Sequence, residues 1–166
     1  MNSKNLHKVV ITLIINKKQV RKVLFERKIV SDQPNETIEL LKNSGYSKKA
    51  IELYLNNVNV GDIEAADVAL AYTGPCGDTC NIFLEINKQN IITDAKFQYL
   101  GCPASAACGS IITQIVKGKT LRRAEKITEE EIIEKLGSLP VDECHCATLV
   151  LTTLRNAIKK YENNNC

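Results

Sequence analysis

Tryptophan is absent from this chain of 166 residues, and aromatic residues make up only 5% of it. So little aromatic surface leaves few platforms on which bases could stack. Twenty-two basic against 19 acidic residues give a net charge of +3, short of the excess that a phosphate backbone calls for. Nucleic acid is therefore not an expected partner. No apolar run approaches the roughly 18 residues of a membrane span, and Met1-Asn2-Ser3-Lys4 leads into no signal-peptide pattern. A cytoplasmic protein is expected, away from the membrane, in a compartment that keeps thiols reduced.

Against these absences stand seven cysteines. An apolar fraction of 44% is enough for a core in one ordinary domain, so the cysteines are not needed as staples. In a reducing compartment they argue for metal or sulfur chemistry rather than disulfides. Three stretches concentrate that chemistry: Cys76-Gly77-Asp78 in a turn marked by Gly74, Pro75 and Gly77, then Gly101-Cys102, then Cys144-His145-Cys146. Three cysteines with one carboxylate and one histidine make a soft-metal site.

The rest of the chain is scaffolding for that convergence. Residues 9–15 are β-branched and predict a strand, and the alternation over 20–29 predicts a basic β-hairpin with it. Asn35 is expected to cap a short helix over Glu36–Lys42 ending at Gly45, and Ser47 to start a second with Ala50, Ile51, Tyr54 and Leu55 on one face. Strands are predicted over Val68–Tyr72, Cys80–Ile86 and Ile91–Tyr99, with a hairpin turn at 87–90. Cys76 and Cys102 would then sit at one edge. Helices follow: one from Pro103 to Gly118, a short piece over Thr120–Ile127, one after the capping box Thr128–Glu131, and an amphipathic helix over Cys146–Tyr161 before a frayed polar tail. The fold class expected is α+β, a three-stranded antiparallel sheet with helices packed on one face, preceded by an N-terminal appendage over residues 1–45. The domain itself is placed at 46–166.

The motifs Tyr46-Ser47, Asn59-Val60-Gly61, Cys76-Gly77-Asp78, Asp94-Ala95-Lys96-Phe97, Gly101-Cys102, Lys117-Gly118-Lys119, Leu139-Pro140 and His145-Cys146, in this order, resemble the iron–sulfur cluster assembly scaffolds of the NifU N-terminal/IscU type. The resemblance covers about Tyr46 to Tyr161. It implies a non-enzymatic scaffold that builds a transient 2Fe–2S cluster from iron and from sulfur delivered by a cysteine desulfurase, then passes it to apo iron–sulfur proteins. An electron-donating ferredoxin is a further candidate partner, and a homodimer stays open. Residue by residue, Cys76, Asp78, Cys102 and Cys146 carry over as cluster ligands, with His145 as an alternative. Members served by a dedicated chaperone carry Leu-Pro-Pro-Val-Lys before the His-Cys pair. Here residues 139–143 are Leu-Pro-Val-Asp-Glu, which counts against that route. The insertion of zinc-dependent relatives between the second and third cysteines is missing, which favours the scaffold type over the sulfur relay.

The other donors have plainer readings. Cys108, between Ala107 and Gly109, and Cys80, on the face of Ile82 and Leu84, read as small core residues. Cys166 is a terminal bystander and His7 a solvated residue. Cys144 is a spare ligand or sulfur acceptor, so the fourth ligand is open among Asp78, His145 and Cys144. A harder ligand beside three thiolates suits a site that must release its cargo. Cys146, with His145 as proton acceptor, is the candidate sulfur acceptor. Three other readings compete. One is a zinc-binding or sulfur-acceptor module serving a desulfurase, with zinc in the metal site. Another is a thiol enzyme using a Cys146–His145 dyad, which lacks a third group to orient the histidine. The last is an interaction protein working through the basic segment Lys17–Lys28.

Overall fold

The computed structural model describes residues 34–165. The strand expected over 9–15, the hairpin over 20–29, His7, the basic segment 17–28 and Cys166 lie outside the described residues. The elements are helix α1 (Pro34–Asn43), α2 (Lys48–Leu55), strands β1 (Val68–Thr73), β2 (Thr79–Ile86) and β3 (Ile92–Leu100), then helices α3 (Pro103–Val116), α4 (Leu121–Ala124), α5 (Glu129–Leu136) and α6 (His145–Asn164). A 3-10 turn, Val141–Glu143, leads into α6.

The sheet is antiparallel in the order β1-β2-β3, as the alternation requires. Thr79 pairs with Thr73 on one side and Leu100 on the other, so the site-bearing loops leave from one end. Asn87 makes the β2–β3 turn, its Oδ1 accepting the Gln89 and Ile91 N–H groups at 3.0 Å each. Cys80, Ile82, Leu84 and Ile86 are all buried, the face the period-two pattern assigns to the core. Helices α3 and α6 cover that face. Cys80 lies beside Thr153 of α6. Phe97, paired with Ile82, lies under Gly109 of α3, where an added Cβ would come within 2.1 Å of its ring. The expected α+β arrangement with helices on one face is the one observed.

Several family motifs turn out to be joints of this framework. Asn59 takes φ +59° and bonds Thr113 Oγ1 at 3.1 Å, while its carbonyl accepts from Phe97 N–H and Phe97's carbonyl from Gly61 N–H. Asp94 pairs with Lys117 at 2.6 Å, and the backbone of residues 118 and 119 bonds Ile92 on both its N–H and C=O. Ser47 caps α2 by accepting from Ala50 N–H at 3.0 Å, and its hydroxyl also bonds the Leu136 carbonyl.

Three local expectations are corrected. Helix α1 begins at Pro34, ahead of the expected Asn35 cap, because proline suits the first helical turn. In α2 the buried residues are Ala50, Ile51 and Leu53, with Tyr54 packed against the core and Leu55 exposed; the core-facing stripe is rotated toward Leu53 relative to the one expected. Helix α6 starts at His145 and continues to Asn164, so most of the tail expected to fray is helical.

Candidate metal centre

The site forms where the 74–78 loop, the start of α3 and the turn before α6 meet. Cys102 is the N-cap of α3, its Sγ accepting from Ser105 N–H at 3.4 Å. Ser105 is buried one turn into the helix, and its hydroxyl donates to Asp78 Oδ2 at 2.6 Å. The same carboxylate oxygen accepts Cys102 N–H at 3.2 Å. Gly101 leaves room for this carboxylate: a Cβ there would lie 2.3 Å from Asp78 Oδ2. Cys146, in the first turn of α6, brings its Sγ to 3.4 Å from Cys102 Sγ and 3.3 Å from Ser105 Oγ. One donor atom from each of Asp78, Cys102 and Cys146 therefore falls within 4.8 Å of the others.

His145 and Glu143 flank this centre. His145 is exposed, with Nδ1 2.7 Å from the Asp142 carbonyl and Nε2 3.8 Å from Cys146 Sγ. A proton held on Nδ1 by that carbonyl leaves Nε2 as the free lone pair, the usual outer-shell arrangement of a ligating histidine. Glu143 Oε2 stands 3.1 Å from Cys102 Sγ and 3.8 Å from Cys146 Sγ. Glu143, His145 and Cys146 form a second donor group within 4.8 Å.

The charges at the centre follow from these contacts. The S–H of Cys146, directed at Cys102, pulls the Cys102 thiol below its usual range, against burial and the Glu143 carboxylate. That contact and burial push Cys146 far upward, so Cys102 is the more readily ionised of the two thiols. For Asp78, burial acts to raise the carboxyl, but the bonds from Ser105 and Cys102 outweigh it and hold it below the ordinary value. Tyr46, first residue of the Tyr46-Ser47 motif, is pushed strongly upward, by burial first and then by the neighbouring Glu143 carboxylate and Cys102.

The structure brings together Asp78, Cys102, His145 and Cys146. Cys76 belongs to neither donor group among the described residues. It is exposed on a loop closed by Gly74 N–H to Asp78 C=O at 2.9 Å and Gly77 N–H to Gly74 C=O at 3.0 Å. Gly77 at φ +89° has open space around it. Cys144 directs its thiol at the Pro140 carbonyl, 3.6 Å away, and joins neither group. Cys80 and Cys108 are core residues, Cys80 pushed up to about 12 by burial. Residue-type reasoning missed Ser105, Glu143 and Tyr46. Ser105 lay in a run valued for small size, and Glu143 was visible only as an acid in the 139–143 segment.

Comparison with known proteins identifies the relatives of this chain. The Archaeoglobus fulgidus iron–sulfur cluster assembly scaffold protein IscU 1 is 42% identical over 121 residues, covering 72% of this chain and 78% of that protein. The IscU scaffold protein of Azotobacter vinelandii is 38% identical, covering 71% of this chain and 94% of its own length. The N-terminal part of a NifU-like protein from Brucella abortus shares the fold at a TM-score of 0.59 and 17% identity, over 74% of this chain and 98% of that structure. The family model of the NifU-like N-terminal domain matches residues 45–166, and the chain belongs to that family.

Proposed function

We propose that this protein is a scaffold, not an enzyme, on which an iron–sulfur cluster is assembled and from which it is passed on. The observation that carries the reading is the convergence of Asp78, Cys102 and Cys146 within 4.8 Å, in a chain whose relatives are named as such scaffolds. Iron and sulfide are cargo here. A site of thiolates and one carboxylate holds iron firmly enough to build on and loosely enough to release.

At the finer level, the cargo is a transient 2Fe–2S cluster held by Cys76, Asp78, Cys102 and Cys146, with His145 as the alternative fourth ligand. Cys76 joins by a swing of its loop about Gly77. Sulfur comes as a persulfide from a cysteine desulfurase, the cluster goes to apo iron–sulfur proteins, and the setting is cytoplasmic. Cys146 is the sulfur acceptor and His145 takes its proton. Cys146 is fully buried at rest, so that step requires the 141–145 turn to move aside. The scaffold domain is 46–166, and residues 1–45 are an appendage outside the chemistry.

Anaerobic incubation with ferrous iron, cysteine, a cysteine desulfurase and a thiol reductant, which supplies the further electrons that turn persulfide sulfur into sulfide, tests the reading. A visible chromophore with the Mössbauer signature of a 2Fe–2S cluster, transferable to an apo-ferredoxin, is expected. A protein that takes up zinc but forms no chromophore would be a zinc module instead.

A further inference from the structure

Glu143 has no role in the ligand set above, yet it stands against both buried sulfurs. It closes the 3-10 turn 141–143, where its N–H donates to the Pro140 carbonyl at 2.9 Å, and it lies one helical turn ahead of Cys146. Its half-buried carboxylate takes part in none of the ion pairs found among the described residues; its side-chain hydrogen bonds come from Cys102 and Cys146. The three donor atoms make a closed triangle with edges of 3.1 Å (Cys102–Glu143), 3.4 Å (Cys102–Cys146) and 3.8 Å (Cys146–Glu143).

That triangle has the size of one face of a metal tetrahedron. With metal–sulfur bonds of about 2.3 Å and metal–oxygen bonds of about 2.0 Å, sulfur–sulfur edges are roughly 3.8 Å and sulfur–oxygen edges roughly 3.5 Å. Each observed edge lies within about half an ångström of its counterpart. We propose that Glu143 is a metal ligand which, with Cys102 and Cys146, forms a three-donor seat for a single divalent cation. The entering ion displaces the thiol protons, which leave to solvent. Asp78, within 4.8 Å of the two sulfurs, and His145, within 4.8 Å of Cys146 and Glu143, are the candidates for a fourth donor. That the ion is ferrous iron, bound before any sulfide, rests on the scaffold reading; the ligation by Glu143 does not.

The test is anaerobic titration of the full apo-protein with cobalt(II), followed by absorption spectroscopy. Thiolate-to-cobalt charge-transfer intensity counts sulfur ligands, and the d–d bands report geometry and the remaining donors. The parent is expected to show a tetrahedral spectrum with thiolate bands. Glu143→Gln should lose at least about tenfold in cobalt affinity, the scale of a lost supporting or ligating group, with thiolate intensity per bound ion retained and the d–d bands displaced. Glu129→Gln, which removes a charge near α6 but no donor of the triangle, should leave affinity and spectrum as in the parent. Glu143→Asp keeps the charge and shortens the reach; should the Gln variant fail to fold, displaced d–d bands in the Asp variant carry the test. Parent-like affinity and d–d bands in Glu143→Gln, or a parent that binds cobalt without thiolate bands, would overturn the assignment. Iron and sulfide added to the same proteins separate this outcome from that of the scaffold reading. A parent that binds cobalt through Glu143 but builds no cluster loses the scaffold function and keeps the ligand. A parent that builds a cluster while Glu143→Gln binds cobalt unchanged does the reverse.

Discussion

At the scale of single residues, Gly101 and Asp78 are one unit. A methyl group at 101 would occupy the place of the Asp78 carboxylate, whose position is set by Ser105 and the Cys102 N–H. Gly101→Ala is expected to destabilise the fold by about 1–3 kcal/mol as the carboxylate is displaced. Equilibrium urea unfolding measures this, and a variant as stable as the parent would show that Asp78 moves freely. A carboxylate such as that of Asp78 is a harder donor than the thiols around it. Asp78→Ala should therefore hold a reconstituted cluster longer in air and transfer it more slowly to an apo-ferredoxin, read from the decay of visible absorption. Faster loss would make Asp78 a principal holding ligand. The thiols differ in access as well as charge. Cys76 is exposed, Cys102 half-buried with its thiol shifted toward thiolate, and Cys146 buried and protonated. Timed alkylation with mass spectrometry should find Cys76 and Cys102 modified well ahead of Cys146; early labelling of Cys146 would mean that the 141–145 turn opens readily.

At the scale of elements, the ends of strands and helices are tied by groups whose roles are mechanical. The hydrogen bond from Lys117 lowers the Asp94 carboxyl below its ordinary value and links the start of β3 to the residue after α3. A depressed folded pKa means stability that is complete above the unfolded value of about 3.9 and is lost as pH falls through the folded one. Both partners are about one-third exposed, so the contribution is at most about 1 kcal/mol. Asp94→Asn should thus be slightly less stable than the parent at neutral pH, with the gap closing in acid. Thermal melts across that range check it, and a gap that widens as pH falls would contradict the pairing.

At the scale of the molecule, α1 bears on the placing of the domain boundary. Leu41 is in the core and Ile38 packs against it, so the helix before Gly45 contributes apolar burial to the body without supplying a donor to the centre. A chain beginning at Gly45 should bind cobalt with the affinity of the full chain but unfold at lower urea, by about 2–5 kcal/mol for the loss of a core leucine and its neighbours. Loss of metal binding in a truncated chain that remains folded would place part of the site in residues 1–45.

The α+β order was legible because it is local. The alternation in β2, the Asn87–Asn90 turn, and the caps at Ser47 and Thr128 each depend on residues a few positions apart. Cys102, Cys146, Asp78 and His145 were legible as donors because thiol, carboxylate and imidazole are scarce and chemically distinct. The meeting of Glu143 with two sulfurs, the hydroxyl of Ser105 under Asp78, and the distance of Cys76 from the rest were decided by the tertiary structure. They depend on how the 74–78 loop, the start of α3 and the turn before α6 are carried together, over separations of 27 residues for Asp78–Ser105 and 41 for Cys102–Glu143, and no local periodicity encodes that. Residue types and their local order fix which groups are available for the chemistry. The packing of α3 and α6 on one sheet face determined which of them touch.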